Sequence, residues 1–113
     1  MGYCSDVGFA LPLKKAFELS NKAEAEGNYN LFKNPNETEN IQFCDETWII
    51  YRWNYIKWYD SFPEVDLIES YMTNENPFCF IRLGEDYQDN ELNHNNKEDT
   101  NIFYYSRYIE VSY

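Results

Sequence analysis

The sequence predicts an α+β fold, a two-layer sandwich in which a mostly antiparallel sheet of about five strands carries two helices on one face. The expected element order is β-α-β-β-α-β-β, with a ferredoxin-like core. Three observations predict it. Short runs of alternating aromatic and aliphatic residues read as strands. Two other segments carry apolar residues at helical spacing, with start and stop signals at their ends. The 113 residues, with eleven Tyr, eight Phe and three Trp, are too aromatic for a disordered chain and suit one domain, residues 1–113.

Tyr3 to Ala10 alternates Tyr3, Val7 and Phe9 with smaller residues and reads as the first strand. Pro12 suits a first helical turn, Leu13, Ala16, Phe17 and Ser20 follow at helical spacing, and Gly27 supplies a stop, so residues 12–26 form the first helix. The Asn- and Pro-containing stretch 28–40 reads as a loop with a short apolar piece at Leu31-Phe32. Two strands follow, 40–45 and 47–58, joined by a tight turn at Asp45-Glu46. Strand periodicity puts Trp48, Ile50, Ile56 and Trp58 on one face of the second strand, and Tyr51, Trp53, Tyr55 and Tyr59 on the other.

Ser61 followed by Glu64 has capping-box spacing, Pro63 suits a first turn, and Val65, Ile68 and Met72 make an apolar stripe. These predict a second helix over 62–73. Residues 77–83 read as a strand and 84–100 as a long acidic loop. Residues 101–113, dense in Tyr and Phe, read as the last strand or hairpin arm. Two helices cover one face of such a sheet. Its other face, expected to carry Phe78 and Phe80, is either an aromatic interface or lies under the loops 28–40 and 84–100.

Charge is the main functional signal. The chain has a net charge of −11, and the window 60–99 holds eleven acids against two bases, Arg82 and Lys97. That field repels nucleic acid and membranes and attracts basic protein surfaces. It also exceeds what solubility alone usually employs. RNA binding through an open aromatic sheet is excluded on the same ground, because such modules neutralise phosphates with Lys and Arg.

Catalytic and metal motifs are weak by comparison. Cys4, Cys44, Cys79 and His94 lack the local pairs of a zinc site. Asp86, Asp89 and Glu91 lack the spacing of a calcium loop. His94 lies in an Asn-rich stretch that suits no rigid base, and no cysteine has an activating neighbour. The expectation is a non-enzymatic protein with no cofactor and no metal site. The odd count of three widely spaced cysteines, and the absence of a leader-like N-terminus or a long apolar run, point to a cytoplasmic protein.

Three segments together resemble small acidic accessory proteins of phages and prophages in low-GC bacteria. They are Met1-Gly2-Tyr3-Cys4-Ser5-Asp6-Val7, Ile56-Lys57-Trp58-Tyr59 running into Phe62-Pro63-Glu64-Val65, and Arg82-Leu83-Gly84-Glu85-Asp86-Tyr87-Gln88-Asp89. Such proteins often open Met-Gly-Tyr-Arg-Ser, where this chain has Cys4. The resemblance implies an anti-defence role in the host bacterial cell, such as inhibition of a CRISPR effector like the Cas9 nuclease. Combined with the charge, the expected mechanism is acidic nucleic-acid mimicry against a basic groove of a host nucleic-acid-binding defence protein. The expected partner-binding residues are Glu64, Asp66, Glu69, Glu85, Asp86, Asp89 and Glu91 as phosphate surrogates, with Tyr87 as an aromatic anchor. The alternative is a homodimeric structural or accessory phage protein that associates through an aromatic sheet face.

Overall fold

The computed structural model describes residues 2–105 and 108–113. Met1 of the opening motif, and Ser106 and Arg107 in the expected last strand, lie outside the described residues. Among the described residues the chain is an α+β protein with two α-helices, a five-stranded antiparallel sheet and a separate two-stranded hairpin. Strands β1 (Ser5–Pro12), β2 (Glu37–Phe43), β3 (Glu46–Ile56), β4 (Phe78–Gly84) and β5 (Asn90–Asn95) stand in the order β2-β3-β1-β4-β5. Helix α1 (Leu13–Ala25) connects β1 to β2, and α2 (Pro63–Tyr71) connects β3 to β4. Each helical connection skips the strand that sits between its two ends.

Both helices lie on one face. Val7, Phe9 and Leu11 of β1, Tyr51 and Trp53 of β3 and Phe78 and Phe80 of β4 point to that face. There they pack with Ala16 and Ala23 of α1 and with Val65, Leu67, Ile68 and Tyr71 of α2. Helix α1 ends as the sequence indicates: Gly27 takes φ +71°, its N–H donates to Glu24 O, and Asn28 N–H donates to Ala23 O. That pair of bonds is a Schellman closure, which needs a residue without a Cβ penalty at the left-handed position. Phe17, expected on the core stripe, is instead 61% exposed, and only Ala16 and Ala23 of the helix are fully buried.

The other face is not open. Strands β6 (Phe103–Tyr105) and β7 (Ile109–Val111) pair into a hairpin that lies across it. Ile102, Phe103 and Ile109 pack there against Ala10, Ile41, Trp48, Ile50, Cys79 and Ile81. Gly8 permits the close approach, because a Cβ there would stand 2.8 Å from the Phe103 ring. The expected exposure of Phe78 and Phe80 is therefore corrected: both face the helices and are buried. The aromatic sheet face on which the homodimer alternative rested is covered mainly by the chain's own C-terminal hairpin, with Asn96 and Thr100 of the 84–100 segment reaching Cys79 at its border.

Three local expectations also change. The hairpin turn between β2 and β3 is made by Cys44 and Asp45, both at positive φ, with Phe43 paired to Glu46. The capping box at Ser61 does not form; Phe62 occupies the cap position of α2 without a side-chain cap, and Pro63 opens the helix. Residues 84–100 are not one long loop, because Asn90–Asn95 pairs with β4 as the edge strand β5.

A bulge near the end of β3 alters which face its residues use. Ser5 and Val7 of β1 pair with Ile56 and Trp53, so β3 carries one extra residue in that interval. Tyr55 sits in it at φ +56°, and its N–H donates to Asp6 Oδ1 at 2.9 Å. One inserted residue moves everything after it to the opposite face. Ile56 and Trp58, expected beside Trp48, consequently join the helix-side core with Trp53 and Phe80.

Candidate functional site: an acidic cleft organised by Arg82

The strand order decides where the charges go. The start of β1, the end of β3, the end of β4 and the start of β5 meet at one end of the sheet, as the pairs Ser5–Ile56, Ser5–Gly84 and Leu83–Asn90 require. Helix α2 begins just after β3, so its first-turn acids Glu64 and Asp66 belong to the same end. The acidic window is thereby split. Asp60, Glu64, Asp66, Glu69 and the acids from Glu85 to Glu91 gather here. Lys97, Glu98 and Asp99 lie beyond the far end of β5, where Lys97 pairs with Asp45 of the β2–β3 turn.

Arg82 is the organiser. It points to the helix side of β4, and its side chain is only 12% exposed. Nη2 and Nη1 donate to the two carboxylate oxygens of Asp89, at 2.7 and 3.1 Å. Nε donates to Glu91 at 2.6 Å, and Nη1 also donates to Ser5 Oγ at 3.0 Å. This forked geometry matches a planar guanidinium to a carboxylate and is stronger than a single contact. The Arg82 hydrogen bond, followed by that of Tyr3, holds the Asp89 carboxyl below its usual range.

The N-terminal segment locks the β4–β5 turn from the other side. Tyr3 N–H donates to Tyr59 Oη at 2.6 Å. Tyr3 Oη donates to Asp89 at 2.8 Å and accepts from Asp86 N–H at 2.8 Å. Glu85 accepts the Cys4 N–H at 2.8 Å, and Asp86 Oδ1 accepts the Gln88 N–H at 2.9 Å in a local Asx turn. Residues expected to face a partner as free phosphate surrogates are thus partly engaged inside the chain: Glu85, Asp89 and Glu91 each hold an internal partner.

Between α2 and β5 this arrangement leaves a cleft of about 660 Å³. Among the described residues its acids are Asp60, Asp66, Glu69, Asp89 and Glu91, its one base is Arg82, and its aromatic walls are Tyr3, Trp58 and Tyr59. Five carboxylates against one guanidinium leave a strongly negative concavity. Glu69 sits half-buried and accepts the Trp58 Nε1–H at 3.1 Å. Burial raises its pKa, the Trp58 bond opposes that, and Glu91 and Asp60 add to it. Glu64 lies outside this cleft, on a neighbouring groove. Tyr87 stands at the tip of the turn, 89% exposed, with its ring free for contact.

Of the expected site residues, Asp66, Glu69, Asp89 and Glu91 come together; Glu85, Asp86 and Tyr87 form the adjoining turn. Tyr3, Trp58, Tyr59, Asp60 and Arg82 were not among the expected site residues. Tyr3, Trp58, Tyr59 and Arg82 belong to the three segments singled out in the sequence, which the fold brings to one place; Asp60 directly follows Tyr59 in the second of them.

His94, Cys44 and Cys79 lie elsewhere. His94 pairs with Asp99 at 3.1 Å. The thiols are free; burial pushes Cys79 up to about 11 and raises Cys44 as well, which disfavours the nucleophilic thiolate. Among the described residues no three His, Cys, Asp or Glu side chains group as metal ligands, and no helix is long and apolar enough to cross a membrane. Compared with protein-family models, curated proteins and solved structures, the chain gives no match.

Proposed function

We propose that this protein is a phage-type, protein-binding inhibitor of a host nucleic-acid-binding defence complex, with a CRISPR effector as the leading class, and that it acts without catalysis. The acidic end of the sheet occupies a basic surface that otherwise holds nucleic acid. One observation carries the reading: Arg82 and Tyr3 fix the β4–β5 turn against the body, so its carboxylates form a held surface and not a mobile acidic loop. A surface held in place loses little entropy on binding, which a flexible mimic would forfeit. Net negative charge on such a surface speeds encounter with a basic partner and makes it sensitive to salt.

The finer topological reading belongs to the same proposal. The order β2-β3-β1-β4 with two interlocked helical crossovers supports a ferredoxin-like core to which β5 adds an edge strand. The cytoplasm of the host cell is the proposed location, since a nucleic-acid-binding target works there.

Capture from a host lysate followed by a salt titration tests the reading. The wild-type chain is expected to retain a basic nucleic-acid-binding protein at low salt and to release it as salt rises. Asp60→Lys with Asp66→Lys is expected to abolish capture, because both residues are exposed and, among the described residues, the only side-chain bond either makes is a 3.4 Å contact from Ser70 to Asp66. Capture that withstands both the charge reversal and high salt contradicts the reading.

A further inference from the structure

We infer that the acidic cleft and an apolar groove beside it form a two-part receptor for one protein segment bearing a cationic side chain close to an aliphatic one. The inference rests on the acidic-surface reading above and specifies the partner's chemistry. The groove, about 270 Å³, is lined by Tyr29, Leu31, Trp53, Ile56, Phe62 and Val65, with Lys57 and Glu64 at its polar border. Tyr29, in the loop after α1, is 56% exposed on the wall of this groove.

A shared aromatic partition joins the two concavities. Trp58 walls the cleft and Trp53 the groove, with ring centroids 6.0 Å apart. Tyr59 walls the cleft and Phe62 the groove, with centroids 5.1 Å apart. Two tilted ring pairs thus separate the concavities, each pair giving one ring to either side. Trp53 is fixed by its Nε1–H bond to Leu31 O at 3.0 Å, and Trp58 by its bond to Glu69. Both walls are thus set before any partner arrives.

Charge complementarity selects the occupant. On the cleft side, negative charge and the indole and phenol rings favour an ammonium or guanidinium, which gains from both the carboxylates and the ring faces. On the groove side, an aliphatic side chain is favoured because the lining is apolar. A nucleic acid or an anionic lipid surface is repelled from the same place, and a second copy of this chain would bring a further net charge of −11. A basic amphipathic segment of a protein satisfies both halves at once.

The test is calorimetric titration of the full chain with three synthetic helical peptides: a parent carrying Arg and Leu on one face, and single replacements of the Arg or of the Leu by Gln. Three forms of the protein are used: wild type, Asp60→Asn with Asp66→Asn, and Tyr29→Ser. The expected result is binding of the parent peptide and roughly tenfold weaker binding of each replaced peptide. Loss of the two acids should weaken the Arg-bearing peptides about tenfold and spare the peptide without Arg. Tyr29→Ser should weaken the Leu-bearing peptides and spare the one without Leu. No measurable heat with the parent, or losses that ignore which side chain is missing, overturns the inference. So does a dimer in sedimentation that Tyr29→Ser dissolves. If a lysate yields a basic partner whose capture ignores both variants, the two-part receptor fails while the inhibitor reading stands. If no basic partner is captured, the inhibitor reading fails, and the peptides still decide the receptor.

Discussion

Arg82→Met removes the guanidinium while keeping a long apolar stem in β4. The variant loses three hydrogen bonds to carboxylates and one to Ser5. A bond to a charged group contributes about 1.5–3 kcal/mol when its partner stays dry, and exposed ion pairs contribute about 0–1 kcal/mol. Arg82 is 12% exposed, whereas Asp89 and Glu91 are 38% and 51% exposed, so water recovers much of what the acids lose. The net cost is then about 2–3 kcal/mol. With a urea slope of about 1.5 kcal/mol/M for a chain of this size, the unfolding midpoint falls by about 1.3–2 M. Amide exchange gives a second readout. Gly84 N–H donates to Asp89 O and Asp86 N–H to Tyr3 Oη, so both amides should lose protection ahead of global unfolding. An unchanged midpoint with Asp86 still protected would refute Arg82 as the organiser of the turn.

Other outcomes follow from the same geometry. Glu69→Gln keeps an oxygen for the Trp58 Nε1–H and removes a charge that is less stable in the fold than in the unfolded chain. Because the folded pKa is raised, the penalty exists above that pKa and is absent below the unfolded value. The variant should therefore be more stable at neutral pH by up to about 1 kcal/mol, with the gain vanishing in acid; a destabilised variant at pH 7 contradicts this. Asp89 behaves oppositely: its lowered pKa adds stability above the unfolded value that is lost as pH falls through the folded one, and Arg82→Met should flatten that part of the acid-unfolding curve. Gly8→Ala drives a methyl into the Phe103 ring and should cost about 1–3 kcal/mol, while Phe103→Ala should cost about 3–5 kcal/mol; near-neutral values for both in urea titrations would mean that the hairpin does not seal the sheet.

Much of the fold was legible because local signals agreed with the tertiary structure. Gly27 stops α1 where a left-handed residue is needed, and Val65 and Ile68 mark the buried side of α2. The failures have physical causes. Asn90–Asn95 reads Asn-Glu-Leu-Asn-His-Asn, which shows no apolar alternation, because an edge strand needs only backbone pairing to β4. Ser61 had capping-box spacing, but Phe62 occupies the cap position before Pro63. Periodicity placed Trp58 beside Trp48, and a single bulge residue, Tyr55, reversed it. Phe103 covers the sheet from a hairpin whose position depends on Gly8, a contact 95 residues apart in sequence that no local pattern encodes.

The candidate site was legible as charge and not as geometry. Asp66, Glu69, Asp89 and Glu91 were visible as acids, but their meeting depends on strand order. The role of Arg82 was hidden because one arginine amid eleven acids reads as a core or surface residue until its two carboxylate partners are seen. Tyr3 was hidden for a similar reason, since its contacts with Asp86 and Asp89 are 83 and 86 residues distant.

Competition measures the central claim most directly. A basic nucleic-acid-binding protein captured from the host is loaded with fluorescent nucleic acid, and the wild-type chain or Asp60→Lys with Asp66→Lys is added at fixed salt. The account predicts stoichiometric release of the nucleic acid by the wild type and none by the charge-reversed variant. A ternary complex in which the protein and the nucleic acid are bound together, or equal release by both forms, would contradict it.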